Sequence, residues 1–231
     1  MKTLLITGVS RGIGLACAKL LSSNYHIIGL SRSPLSSPIQ NVTHYSCDLT
    51  NQNALFSCKA FLEKQTIDAA IFCAGKGLFQ HVEEVAIKEA KELFALNFFS
   101  AAFLTKWLLP KMKRQQRSDL IFIGSVASSE AAKKNTFYGA SKAALKAFTR
   151  SLRKECASSS IKVSLIEPGL CATSFYAPLD FAPKQEEGYF LDPTEVAKTV
   201  SFILETENGS VFEEISLNPQ KRGIEKKRPF A

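Results

Sequence analysis

Tyr138 and Lys142 stand four residues apart in the run Thr136-Phe-Tyr-Gly-Ala-Ser-Lys142. On a helix this spacing puts both side chains on one face, one turn apart. A phenol ordinarily titrates near pH ~10, too high for easy proton exchange at neutral pH. A nearby cation favours the phenolate and lowers that value. The pair therefore predicts a tuned acid/base for work at a carbonyl or an alcohol. The same pair also fits a solvated helix face, so its weight depends on the elements that position it.

The first of those elements lies at the N-terminus. Lys2-Thr-Leu-Leu-Ile-Thr7 is a short, mostly apolar run suited to a strand buried on both faces. It leads into Thr7-Gly-Val-Ser-Arg-Gly-Ile-Gly14, and then into Leu15-Ala-Cys-Ala-Lys-Leu-Leu21, which has helical spacing. Strand, glycine-rich turn and helix form the context of a dinucleotide fingerprint. Gly8 permits the tight turn, Gly12 lets the backbone approach a pyrophosphate, and Gly14 lets helix and strand lie close. The helix start offers free N–H groups and a positive dipole end to the anion.

Further along, strand patterns at about 26–31, 43–47, 68–73, 118–124, 161–166 and 211–216 alternate with helix patterns. The helix patterns fall at about 12–23, 51–64, 86–112, 136–157 and 193–206. Such alternation predicts an α/β domain with a parallel sheet covered by helices on both faces. Right-handed crossovers place its ligand crevice at the carboxyl ends of the strands, at the topological switch. Gly8, Ser31, Asp48, Cys73, Ser125 and Pro168 all fall at those ends.

The spacing Gly8-x-x-x-Gly12-x-Gly14 after Thr7, combined with Tyr138-x-x-x-Lys142, resembles the short-chain dehydrogenase/reductase family. Asp48-Leu49, Cys73-Ala-Gly75, Asn97, Ser125, Pro168-Gly169 and Thr173 follow in the family's order, so the resemblance runs from about residue 2 to about residue 217. It implies a single-domain Rossmann fold, a doubly wound parallel seven-stranded sheet, and hydride transfer at a carbonyl or alcohol. It also implies a catalytic tetrad of Asn97, Ser125, Tyr138 and Lys142. In that scheme Ser125 holds the substrate oxygen and Tyr138 transfers the proton. Lys142 lowers the tyrosine pKa and grips the nicotinamide ribose. Asn97 distorts its helix and holds a water for proton relay. The resemblance gives cofactor contacts to Gly8, Ser10, Arg11, Gly12, Ile13 and Gly14 in the loop. It adds Asp48 and Leu49 at the adenine, Cys73, Ala74 and Gly75 at the adenosine ribose, and Pro168, Gly169, Cys171 and Thr173 at the nicotinamide. Cys73 departs from the family's asparagine, and Glu214-Ile-Ser-Leu-Asn-Pro219 lacks its Asp-Gly-Gly ending.

NAD-preferring enzymes place an acidic residue at the end of the second strand. This chain has Ser31, Arg32 and Ser33 there, and Arg11 nearby. Two guanidinium groups and two hydroxyls suit a 2′-phosphate, so NADP(H) is expected over NAD(H). Arg32 as a plain solvated loop residue is the alternative. Residues 174–192, with Phe175, Tyr176, Leu179, Phe181, Tyr189 and Phe190, read as a mobile substrate lid.

At 231 residues and 45% hydrophobic content the chain fits one α/β domain, 1–218, with a basic, mobile tail at 219–231. No run approaches the ~18 apolar residues of a membrane span, and no signal peptide fits before the first strand. The six cysteines are scattered and the three histidines lack ligand spacing, so no metal is expected. These features predict a cytoplasmic protein with free thiols. The net charge of +8 shows no aromatic-and-basic interleaving for nucleic acid. It suits an acidic acyl carrier protein approaching Lys133 and Lys134. The expected activity is NADPH-dependent carbonyl reduction, on a 3-oxoacyl-acyl-carrier-protein or on small ketones, aldehydes or pterins. A non-catalytic NADP(H) sensor is the competing class. The resemblance also implies a homo-oligomer, dimer or tetramer.

Overall fold

The computed structural model describes residues 1–227. The final residues of the expected tail, 228–231, lie outside that range. Seven strands make one sheet: β1 (Thr3–Thr7), β2 (His26–Ser31), β3 (Val42–Ser46), β4 (Ala69–Phe72), β5 (Ser118–Ile123), β6 (Ile161–Pro168) and β8 (Glu214–Leu217). Their order is β3-β2-β1-β4-β5-β6-β8, and every neighbouring pair is parallel. The chain moves outward from β1 to β3, then returns to β1 and moves outward the other way. The switch point is therefore between β1 and β4, where Gly8 follows one strand and Cys73-Ala-Gly75 the other.

The strands are apolar throughout because both faces are covered. Leu5 faces one core with α2 (Gln52–Leu62), α4 (Ser100–Met112) and α5 (Thr136–Cys156). Leu4 and Ile6, alternating with it, face a second core with α1 (Gly12–Leu21) and α6 (Pro193–Glu205). Helix α6 starts on a capping box. Asp192 accepts from the Thr194 N–H at 2.8 Å, Glu195 reaches back to the Asp192 N–H at 2.7 Å, and Pro193 occupies the first turn.

Two expectations change here. The helix predicted over 86–112 is α3 (Ile87–Phe94) joined to α4 through a π-helical turn, Ala95–Phe99. This stretch is long and apolar enough to cross a membrane by length and composition, an 18-residue window within it having mean hydropathy 1.3. Its Ala101, Leu104, Leu108 and Met112 instead pack into the core against the sheet. The segment expected as a mobile tail is also folded in part. Residues Ile224–Lys226 form β9, antiparallel to β7 (Phe181–Pro183) in the segment expected as a lid.

Candidate active site

The glycine loop is shaped for an anion. Gly8 and Gly12 take φ of +73° and +57°, the left-handed region that side chains rarely adopt. A Cβ on Gly14 would lie 2.3 Å from the Gly8 carbonyl oxygen, so helix α1 can approach β1 this closely only with glycine there. Among the described residues no side chain caps α1, and its first turn holds no acid. Its leading N–H groups are therefore free for a ligand at the positive end of the dipole. A dinucleotide pyrophosphate fits this cradle. Thr7 Oγ1 accepts from the Ala74 N–H at 3.1 Å, tying the loop to the β4 end. A Cβ on Gly12 would meet Thr173 at 3.5 Å, so the loop also meets the segment after β6.

The adenosine side is more self-contained than the sequence suggests. Ser31 donates its hydroxyl to the Ser33 carbonyl at 2.7 Å and lies 2.9 Å from His44 Nε2. Of the two hydroxyls expected to greet a 2′-phosphate, only that of Ser33 remains free to donate among the described residues. Arg11 and Arg32 are exposed. Asp48 Oδ1 accepts from the Thr50 hydroxyl at 2.7 Å and the Thr50 N–H at 2.9 Å. These bonds, with help from Arg32, hold its carboxyl below the usual range. Leu49 is buried in the core.

The catalytic candidates converge beside this loop on a cleft of about 520 Å³. Ser125, Tyr138 and Lys142 line it, together with Ile13, Cys73, Gly75, Pro168, Gly169, Cys171 and Thr173. Ser125 lies two residues past β5; its oxygen accepts from the Ala127 N–H at 3.2 Å, so it caps a short turn while facing the cleft. Lys142 is 5% exposed and donates to the Ile123 carbonyl at 2.9 Å. Burial pulls its pKa down to about 8. Tyr138 is 7% exposed, and its ring lies 5.0 Å from Phe79 and 5.8 Å from Phe175.

The phenol does not behave as the sequence predicts. Burial pushes Tyr138 up to about 12, with the Ser125 hydroxyl beside it pulling the other way. Desolvation of the buried phenolate sets the direction, while the Lys142 ammonium is turned to the Ile123 carbonyl.

Asn97 lies behind the cleft rather than in its wall. It is 2% exposed at the centre of the π turn, the local helix distortion expected of it. Its Oδ1 accepts from the Lys76 N–H at 2.9 Å, and its Nδ2 donates to the Lys76 carbonyl and to Ser141 Oγ, both at 3.0 Å. Ser141 in turn donates to the Tyr138 carbonyl at 2.7 Å. Asn97 thus ties the β4 loop to α5 under the catalytic turn. A Cβ on Gly75 would stand 3.3 Å from Asn97 Oδ1 and 3.7 Å from Lys142 Nζ, which shows how tightly these residues meet.

With this geometry in place, comparison with known proteins is decisive. A family model described as short chain dehydrogenase matches residues 2–182. The chain belongs to the short-chain dehydrogenase/reductase family. It is 35% identical over 172 residues to a probable short-chain type dehydrogenase/reductase, VdlC, of Helicobacter pylori, covering 71% of this chain and 63% of that protein. It is 29% identical over 192 residues to retinol dehydrogenase 8 of Bos taurus, covering 77% and 62%. The chain therefore spans just under two thirds of each of these relatives. A solved short chain dehydrogenase family protein from Francisella tularensis superposes with TM-score 0.86 at 25% identity, covering 95% of this chain and 98% of that one. The short-chain dehydrogenase/reductase family binds a nicotinamide cofactor, and the loop and cleft fit one.

Three features of this family member escaped the sequence. Glu167, 4% exposed, joins the elements that carry the site. It accepts from Lys146 at 2.7 Å and from the Ser128 hydroxyl, three residues beyond Ser125, while its own backbone leads into Pro168-Gly169. Lys146 sits one turn beyond Lys142, a spacing that could have drawn attention to it. Lys76 and Ser141, as partners of Asn97, carry no local signal except that Ser141 lies inside the Tyr138–Lys142 motif. Finally, Arg222, Gly223 and Ile224 line the cleft, although they belong to the supposed tail.

Proposed function

We propose that this protein is an NADP(H)-dependent oxidoreductase that interconverts an apolar carbonyl compound and its alcohol. The observation that carries the reading is the convergence of the Ser125 and Tyr138 hydroxyls and Lys142 on one apolar cleft beside an uncapped, glycine-rich helix start. The nicotinamide, when bound, supplies or accepts hydride. In the reducing direction Ser125 donates a hydrogen bond to the substrate oxygen as negative charge gathers there. Tyr138 gives its phenolic proton to that oxygen, completing the alcohol. Lys142 supplies positive charge as the phenolate forms, and Asn97 holds the backbone on which both helices meet.

NADP(H) is favoured over NAD(H) because Arg11 and Arg32 are exposed where an acid would otherwise select a ribose hydroxyl. An apolar substrate is favoured by Phe79, Phe175, Tyr176 and Phe181 in the cleft wall, and by the likeness to a retinol dehydrogenase. The acyl-carrier-protein reading rests on Lys133 and on Lys134, which already stands 4.0 Å from Asp180. The same proposal places the protein in the cytoplasm, where its six cysteines, all free, stay reduced. It also places the protein in a homo-oligomer that covers exposed Phe99 and Phe103, whose rings stack at 5.8 Å. Light scattering tests that assembly.

The activity test follows NADPH and NADH oxidation across acyl thioesters, ketones and aldehydes. Turnover selective for NADPH and abolished in Tyr138→Phe, with cofactor binding retained, supports the reading. Full activity in Tyr138→Phe sinks the mechanism. NADPH binding with no turnover on any carbonyl would favour a sensor.

A further inference from the structure

The C-terminal segment closes one side of the catalytic cleft. Its strand β9 pairs with the lid strand β7 through Phe181↔Lys226, Ala182↔Glu225 and Pro183↔Ile224. Further backbone bonds extend the pairing. The Lys184 N–H donates to the Gly223 carbonyl at 3.2 Å, the Lys221 N–H to Gly188 at 2.7 Å, and the Lys227 N–H to Asp180 at 2.8 Å. The ammonium groups of Lys184 and Lys221 lie 5.1 Å and 5.4 Å from the Tyr189 ring centre. Across the cleft mouth, Arg222 makes a forked pair with Glu130 at 3.1 Å and 3.2 Å. Lid and tail are thus one unit, docked to the loop that follows Ser125.

This unit presents an apolar rim. Ile224 lines the cleft yet is 55% exposed among the described residues, an open large aliphatic side chain at its mouth. Inward from it the wall continues through Phe181, whose ring meets Phe79 at 5.1 Å, and Phe79 meets Tyr138. Apolar side chains thus line the same cleft from the catalytic phenol to the C-terminal strand. Apolar surface left open at the mouth of a site gains free energy only when a ligand covers it.

We propose that Ile224 is a specificity-determining residue, and that the substrate is a carbonyl compound whose apolar body extends from Tyr138 past Phe181 onto the C-terminal strand. The proposal rests on the oxidoreductase reading of the same cleft and narrows its substrate class. A short carbonyl compound can reach Tyr138 without covering Ile224. A long one covers both.

The test compares decanal with butanal in wild type, Ile224→Asp and Glu225→Ala. Glu225 is the next residue on the strand, and strand alternation turns it to the opposite face, so its variant reports any loss of β7–β9 pairing. Ile224→Asp should lower kcat/KM for decanal by roughly tenfold, while butanal stays within about twofold, in line with the selectivity of hydrophobic pockets. Glu225→Ala should alter neither. Equal losses on both aldehydes, or no loss on either, overturn the proposal. Calorimetric titration with 1-decanol separates this question from catalysis. If neither aldehyde turns over, the oxidoreductase reading is left to the wider carbonyl panel, and decanol binding decides the wall. Binding weakened at least about tenfold in Ile224→Asp alone supports it. Equal affinity in all three proteins, or no binding to wild type, overturns it.

Discussion

Replacing Lys142 with methionine should change the pH dependence of stability in a direction fixed by its burial. In the folded protein the ammonium is pulled from 10.5 down to about 8, chiefly by desolvation. Below about pH 8 the folded state holds a buried charge that the unfolded chain holds in water. Between about pH 8 and 10.5 the unfolded chain binds more protons than the folded one, so wild-type stability rises with pH across that window. The difference corresponds to roughly 3 kcal/mol, at about 1.4 kcal/mol for each tenfold change. Methionine keeps most of the volume and removes the titration, although it leaves the Ile123 carbonyl without its donor, at a cost of about 1–3 kcal/mol. Those two effects oppose each other near neutral pH, so the sharper observable is the slope. Denaturant unfolding of the wild type and Lys142→Met, without cofactor, should show wild type gaining roughly 3 kcal/mol on the variant from about pH 7 to about pH 11. Tyr138 also titrates in alkali: its folded value is raised to about 12, so stability falls as pH climbs from 10 toward that value. That loss is common to both proteins and cancels in the comparison. Parallel curves for the two proteins across this range would refute the reasoning. The variant should also lose turnover.

Gly14→Ala puts a methyl group 2.3 Å from the Gly8 carbonyl oxygen, so β1 and α1 must part; cofactor affinity by fluorescence titration should fall more than about tenfold, with a lower melting temperature. Arg32→Glu places repulsive charge beside a 2′-phosphate, and the ratio of kcat/KM for NADPH over NADH should fall by at least about tenfold in steady-state assays. Glu167→Gln leaves Lys146 with the Ser129 hydroxyl at 2.9 Å and Glu214 at 3.8 Å, and no close carboxylate. Denaturation should show a loss of about 2 kcal/mol or more, and kcat should fall with cofactor affinity retained, because the Ser125 loop and α5 lose their shared anchor.

The chemistry of this chain was written locally, and for that reason it was legible. Glycines at 8, 12 and 14 mark a turn whose φ values and close approach only glycine satisfies. A Tyr138–Lys142 spacing needs nothing but a helix to bring the two together. The alternation of strands and helices determines a parallel sheet, and with it a crevice at the strand ends. Asn97 was legible too, since an amide amid Leu96, Phe98 and Phe99 needs partners. What those partners are, Lys76 and Ser141, depends on how β4 and α5 are brought against the π turn, which no local spacing encodes. The same holds for Ser31, whose hydroxyl goes to Ser33 beside His44 on the neighbouring strand, and for Glu167, whose partners come from the Ser125 turn and from α5. The largest departure is the C-terminal segment. Residues 221–227 are polar and unpatterned, so local sequence offers no strand; β9 exists because the lid strand β7 has an open edge to pair with. The Tyr138 pKa follows the same rule. Helical spacing puts a cation near the phenol, but the depth of burial decides that desolvation wins, and burial is a property of the whole fold.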